Sequence, residues 1–271
     1  MPPPYKAVGR CIYCGAKPRL SELSGEHIIP RNIGGKLVLP KASCLDCARE
    51  TSQFEKECVR AFFGPVRKHL DIRGNKQKKR HSHIRAEIAP SPGHSHFEMM
   101  PIGEYPSFLW SFLFLPPGIL AGIPRDEEIR GTLHFVDLNP DGPKSGESLI
   151  LGGNLSAKTY ARLLAKIGHA YAAAECGIDN FKPYLTDLIR GISPNYPAFF
   201  VGCKLAETPP QGKIPPAGKE RHEIELESAY LQRHVGAPLE RSNYLIVRIR
   251  LFSELGAPVY YVVAGERLVH P

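Results

Sequence analysis

Two cysteine pairs, Cys11/Cys14 and Cys44/Cys47, constrain this chain more tightly than any other feature. Within each pair the two-residue spacer lets one tight turn aim both sulfurs at a single point, and 29 residues separate the pairs. That pattern predicts one tetrahedral Zn2+ held by four thiolates. A segment of this size has little core of its own, and the metal supplies the missing folding free energy, on the order of 10 kcal/mol in apparent terms. With protein filling all four positions, such a zinc is structural and offers no open place for substrate. A disulfide framework suits small secreted chains. Here there are 271 residues and seven cysteines, and Met1-Pro2-Pro3-Pro4 lacks the apolar stretch of a secretory leader. A cytoplasmic location is therefore expected, with Cys58, Cys176 and Cys203 as small buried residues.

The charge is unevenly spread. Residues 1–80 carry 17 Lys and Arg against 7 Asp and Glu, a net of +10, whereas the remainder nets −2. A localised positive field attracts polyanions, so nucleic acid is the expected partner. The apolar run from Phe108 to Ile123 is shorter than the roughly 20 residues that span a membrane. It is also broken by Pro116-Pro117-Gly118, and it reads as buried core.

A compact module is expected to end near Phe63. A basic stretch follows, Gly64 to His81, with seven Lys and Arg against one Asp. Pro90, Pro92, Pro101 and Pro106 then mark a loop-rich passage, and the domain boundary is placed at 82–100. Further on, Ser156 can cap a helix whose apolar face is Tyr160, Leu163, Leu164, Ile167, Ala170, Tyr171 and Ala174, with Gly177 as its stop. A shorter helix is expected from Lys182 to Arg190. Tyr244 to Phe252 alternates as a strand, and Val259 to Ala264 returns as a second one after the Gly256-Ala257-Pro258 turn. Thr208 to Gly218, rich in Gly and Pro, reads as a loop.

Between the cysteine pairs stands Glu26-His27-Ile28-Ile29-Pro30, then Gly34-Gly35. Together with Cys11-Ile12-Tyr13-Cys14 and Cys44-Leu45-Asp46-Cys47, these residues resemble the HNH endonuclease family in order and spacing, over roughly residues 8–60. The resemblance implies a ββα-metal module, a β-hairpin followed by a helix around one divalent ion. It implies that Glu26 ligates Mg2+ or another divalent ion, and that His27 is the general base that takes a proton from the attacking water. An imidazole near its ordinary pKa suits that role at neutral pH, and a held cation stabilises charge growing on the phosphate.

The chain departs from the family at two positions. Leu39 stands where a central Asn is usual, and Ala48, which cannot bind metal, stands just after the fourth Cys. Glu50, Thr51, Ser52 or Glu55 on the following helix can supply the missing ligand, Glu55 lying two helical turns from Ala48, and Asn32 is a candidate for the amide. The fold expected is α+β: a small zinc-stabilised, treble-clef-like ββα module at 1–63, a basic, Pro-rich connector at 64–100, and a larger mixed α+β domain at 101–271. Cations expected to hold phosphates are Arg31, Arg67, Lys68, Arg73, Lys76, Lys78, Lys79 and Arg80. His81/His83 and His94/His96 read as loop histidines, and His169 as a packed or surface residue. The resulting function is divalent-ion-dependent hydrolysis of DNA. A catalytically degenerate nucleic-acid-binding module is the first alternative. A zinc-stabilised protein-interaction module is the second, and it leaves Glu26-His27 and the charge asymmetry unexplained.

Overall fold

The computed structural model describes residues 5–72, 82–91, 94–101, 104, 107–138, 148–149, 156–203, 221–233 and 240–268. It is an α+β fold. Strands β1 (Ser24–His27) and β2 (Val38–Ser43) pair antiparallel, with Glu26 opposite Leu39, and helix α1 (Leu45–Ala61) follows directly. This is the ββα unit that the resemblance implied. The chain turns from β1 to β2 through Gly35, where a β-carbon would sit 2.0 Å from the carbonyl oxygen of Ile29, so only glycine fits.

After α1 come α2 (Gly64–His69), β3 (His83–Ser91) and β4 (His94–Pro101). The passage expected to be loop is thus a hairpin. Its prolines do not oppose this: Pro90 lies where the β3–β4 register shifts and Pro101 ends β4. The apolar run Phe108–Ile123 becomes β5 (Phe108–Phe114) and α3 (Gly118–Ala121), and β5 pairs with β6 (Gly131–Asp137). The two-residue strand β7 (Ser148–Leu149) joins β3.

Helix α4 (Ala157–Cys176) is framed as expected: the Ser156 hydroxyl accepts from the amide of Thr159 at 3.2 Å, and Gly177 follows with φ of 80°. Next come β8 (Phe181–Pro183), α5 (Thr186–Arg190), α6 (Pro197–Phe200) and β9 (Val201–Cys203). The helix expected from Lys182 starts only at Thr186, because Phe181 to Pro183 is drawn into the sheet. That sheet runs β10 (His222–Arg233), β11 (Glu240–Leu251), β12 (Tyr260–Arg267), β8, with β9 also on β12, all antiparallel.

α4 lies across β11 and β12, so closely that a β-carbon at Gly168 would be 2.6 Å from a Val262 methyl. Its other side meets α1. Phe62 and Phe63, just past α1, pack on Tyr160, Phe112 and Phe252, with 4.7 Å between the Phe62 and Tyr160 rings. Buried residues from Cys11 to Ala264 form one cluster, so the small ββα unit shares its core with the rest of the chain. No helix among the described residues is long and apolar enough to cross a membrane.

Candidate functional site

The four cysteines converge. Cys11 and Cys14 come from a turn closed by the Cys11 amide on the Ala16 carbonyl at 2.8 Å, and Cys44 and Cys47 from the start of α1. Their sulfurs all lie within 4.8 Å of one another, and those of Cys14 and Cys44 are 3.7 Å apart. Thiolates about 2.3 Å from a tetrahedral zinc stand about 3.8 Å from each other, so the donor set fits that ion. Burial, followed by the charge of Cys11, pushes the Cys47 thiol far above its ordinary value. Four thiolates this close need a cation among them.

Glu26 and His27 end β1, which lies against α1. Glu26 is buried and His27 half-buried. Glu55, two turns along α1 from Ala48, meets Glu26, but the two carboxylates meet across a third residue. The ammonium of Lys166, from α4, lies 2.6 Å from Oε1 of Glu26 and 2.8 Å from Oε1 of Glu55. It also donates to the His27 carbonyl and, at 3.3 Å, to that of Ile28. The Lys166 side chain has no exposed surface and that of Glu26 is 7% exposed.

Electrostatics follow from this arrangement. Burial pulls the Lys166 ammonium down, but Glu26 and Glu55 together raise it further, so it stays charged. Burial lifts the Glu26 carboxyl, Lys166 pulls it back, and Glu55 adds to the lift. His27 is lowered by burial first, then by the charges of Lys166 and Arg31, against Glu55, and it is neutral at pH 7. Burial, then the charges of Glu26 and Glu55 and the nearness of the Glu26 carboxylate as an acceptor, hold the buried Tyr13 hydroxyl protonated.

Residues 11–63 match a family model described as HNH endonuclease. That stretch is similar to HNH endonucleases, and it holds the ββα unit and the four converging cysteines. No curated protein and no solved structure matches the chain. In this HNH-like module Leu39 is buried opposite Glu26 and holds core, not chemistry. Glu50 is drawn toward Arg162, whose pKa it raises against burial, and one of its oxygens is buried without a partner. Thr51 bonds back to the Ala48 carbonyl at 3.3 Å.

The family implies a divalent ion at Glu26. As the side chains stand, they do not fit one. Mg2+ asks for six oxygens at about 2.0–2.1 Å, several of them water. The point between Glu26 and Glu55 is filled by an ammonium that has no exposed surface, with Glu55 alone reaching partly into solvent.

Of the cations expected to meet phosphate, Arg31 is exposed beside His27 and Lys68 is exposed on α2. Arg67, also on α2, is half-buried, with a lowered pKa from burial. Arg73, Lys76, Lys78, Lys79, Arg80 and His81 lie outside the described residues, as does Thr208 to Gly218. His83, His94 and His96 sit on β3 and β4 rather than in loops.

Sequence reasoning missed Lys166. A signal was present: Arg162, Lys166 and His169 fall at i, i+4 and i+7 on a helix whose neighbouring positions are all apolar. A charge on a buried helix face must find partners elsewhere in the fold.

Proposed function

We propose that the protein engages nucleic acid, double-stranded DNA foremost, through its HNH module, and that it works in the cytoplasm. The observation that carries this reading is a division of the site. Glu26 and Glu55 face inward onto Lys166, whereas the His27 imidazole is half-exposed and Arg31 beside it is exposed. The exposed Arg31 beside the neutral His27 offers a phosphodiester backbone a cation, and both belong to the third of the chain with a net charge of +10.

Cleavage is the second reading, and one observation favours it. Glu55 reaches the Glu26–His27 doublet, and the half-open imidazole is neutral at pH 7, the state a general base needs. A divalent ion would first have to displace the Lys166 ammonium from the two carboxylates. His27 would take the proton of the attacking water at its unprotonated ring nitrogen, and Arg31 would hold the neighbouring phosphate.

The experiment combines duplex binding across a salt series with plasmid nicking in Mg2+, Mn2+ and Ni2+, on wild type and His27→Ala. Salt-sensitive binding without nicking is expected. No binding to duplex or single-stranded DNA or to RNA at low salt overturns the nucleic-acid reading. Ion-dependent nicking that His27→Ala abolishes replaces binding with cleavage.

A further inference from the structure

α4 reaches the HNH module with three basic side chains. Arg162 lies over the ring of Phe54 at 4.4 Å, Lys166 enters between Glu26 and Glu55, and His169 meets the first cysteine turn at the Ile12 carbonyl. The outer two pack and bond as ordinary buried polar groups do. The middle one stands where the HNH frame calls for something else.

We propose that the ammonium of Lys166 is the resident cation of this HNH site, taking the place of the divalent ion and binding α4 to the module. The inference rests on the HNH reading of Glu26, which fixes where an ion belongs.

Three features support it. First, the acidic pair is complete: Ala48 supplies no ligand, and Glu55 brings a carboxylate from two turns farther along the same helix. Second, the ammonium's hydrogen bonding is fully used. Its three protons face four acceptors, the two carboxylates and the carbonyls of His27 and Ile28. A buried lysine is costly unless paired in this way, and two of these partners, Glu26 and Glu55, are carboxylates the ion would have used. Third, a dication added beside this ammonium would meet a like charge at close range, next to a lysine and a Glu26 that are both buried, where repulsion is strong. The lysine is also covalently part of the chain, so no chelator removes it.

The test is Mn2+ uptake by the zinc-loaded full chain, followed through the paramagnetic resonance of free Mn2+. Wild type is expected to take up none at this site. Lys166→Met frees both carboxylates and is expected to bind one Mn2+ more than about tenfold more tightly than wild type. Adding Glu55→Gln in that background abolishes the uptake. Stoichiometric uptake by wild type that Glu55→Gln removes overturns the proposal, and so does a folded Lys166→Met protein that binds no Mn2+.

Melting gives a second readout if Lys166→Met is too unstable to titrate. Mn2+ raises the Tm of that variant and leaves wild type unmoved. A wild-type Tm that rises with Mn2+ and loses the rise in Glu55→Gln overturns the assignment. None of these readouts uses DNA. A chain that fails to bind nucleic acid but shows this pattern keeps the lysine and loses the nucleic-acid reading.

Discussion

Nε2 of His169, on α4, stands 2.7 Å from the carbonyl oxygen of Ile12, between the two cysteines of the first turn. A carbonyl only accepts, so the ring proton is on Nε2, and the buried Nδ1 has no partner. Burial pushes the pKa down to about 4, so the ring is neutral, and it packs against Tyr13 with 5.6 Å between centroids. Together with Lys166, this bond lets α4 grip the HNH module at both its cysteine turn and its acidic pair. Here the larger part of the chain shapes the smaller.

His169→Gln can keep a donor near Ile12, whereas His169→Leu leaves that carbonyl buried and unmet. The Leu variant is expected to lose about 1–3 kcal/mol and the Gln variant less. Urea denaturation of the zinc-loaded protein measures both, and equal stability of wild type and the Leu variant refutes the role given to the bond.

His222 makes a prediction about pH. Its Nε2 donates to the Ile33 carbonyl at 2.9 Å, and its Nδ1 accepts from the Phe252 amide at 3.1 Å. Both ring nitrogens are used, in the neutral form. Burial is the main cause of a pKa near 4, with the Arg221 charge adding to it against the Ile33 bond. Above the ordinary value of 6.5 neither state binds the proton, and this group adds no pH dependence. Between 6.5 and 4 the unfolded chain takes a proton that the folded one refuses, so stability falls as pH falls; below 4 the loss is complete. His222→Gln is expected to flatten the stability slope between pH 6 and 4.5 by about 1 kcal/mol per pH unit. An unchanged slope shows that His222 titrates alike in both states.

Much of this could be read in the sequence where the signal was local. The cysteine spacing, the Ser156 cap with Gly177, and the alternation in β11 each lie within a few residues, and each reappears in the fold. Lys166 was hidden because its meaning depends on partners 140 and 111 positions upstream, brought close only when α4 packs on α1. Along α4 itself it stands with Arg162 and His169 as a polar residue among apolar neighbours, and nothing local names its partners. The misplaced start of α5 has the same origin. Phe181 to Pro183 has no strand alternation of its own and becomes a strand only because the edge of β12 is there to pair with.

Removal of zinc is expected to cost the module its fold. Cys47→Ser leaves three thiolates around a centre that needs four, and the apparent contribution of such a metal is on the order of 10 kcal/mol. One equivalent of zinc per chain should be released when a mercurial blocks the thiols, and the Cys47→Ser protein should carry much less. The loss should reach beyond the module, because Phe62 and Phe63 are buried against Tyr160 and Phe252. Near-ultraviolet circular dichroism of the tyrosines then drops together with the zinc. A protein that keeps its near-ultraviolet signal after zinc removal shows that the core on α4 stands without the metal.

Arg31 gives the prediction that joins site electrostatics to binding. Its charge, after burial and Lys166, is one of the causes that lower the His27 pKa, and its own side chain is exposed. If it also touches phosphate, Arg31→Gln should act in two places at once. Duplex affinity should fall by a similar factor for every sequence, since a phosphate contact reads no bases, and the slope of log affinity against log salt should become shallower by about 0.9. In the protein without DNA, the His27 pKa should rise toward 6.5, as a titration of its ring protons by NMR would show. The two effects are separable. A rise in the His27 pKa with the salt slope unchanged leaves Arg31 as a neighbour of the imidazole that never meets the backbone. A shallower slope with no rise puts its guanidinium on phosphate and too far from His27 to matter. Both effects together place the imidazole at the phosphate backbone, where a general base or a simple contact must sit.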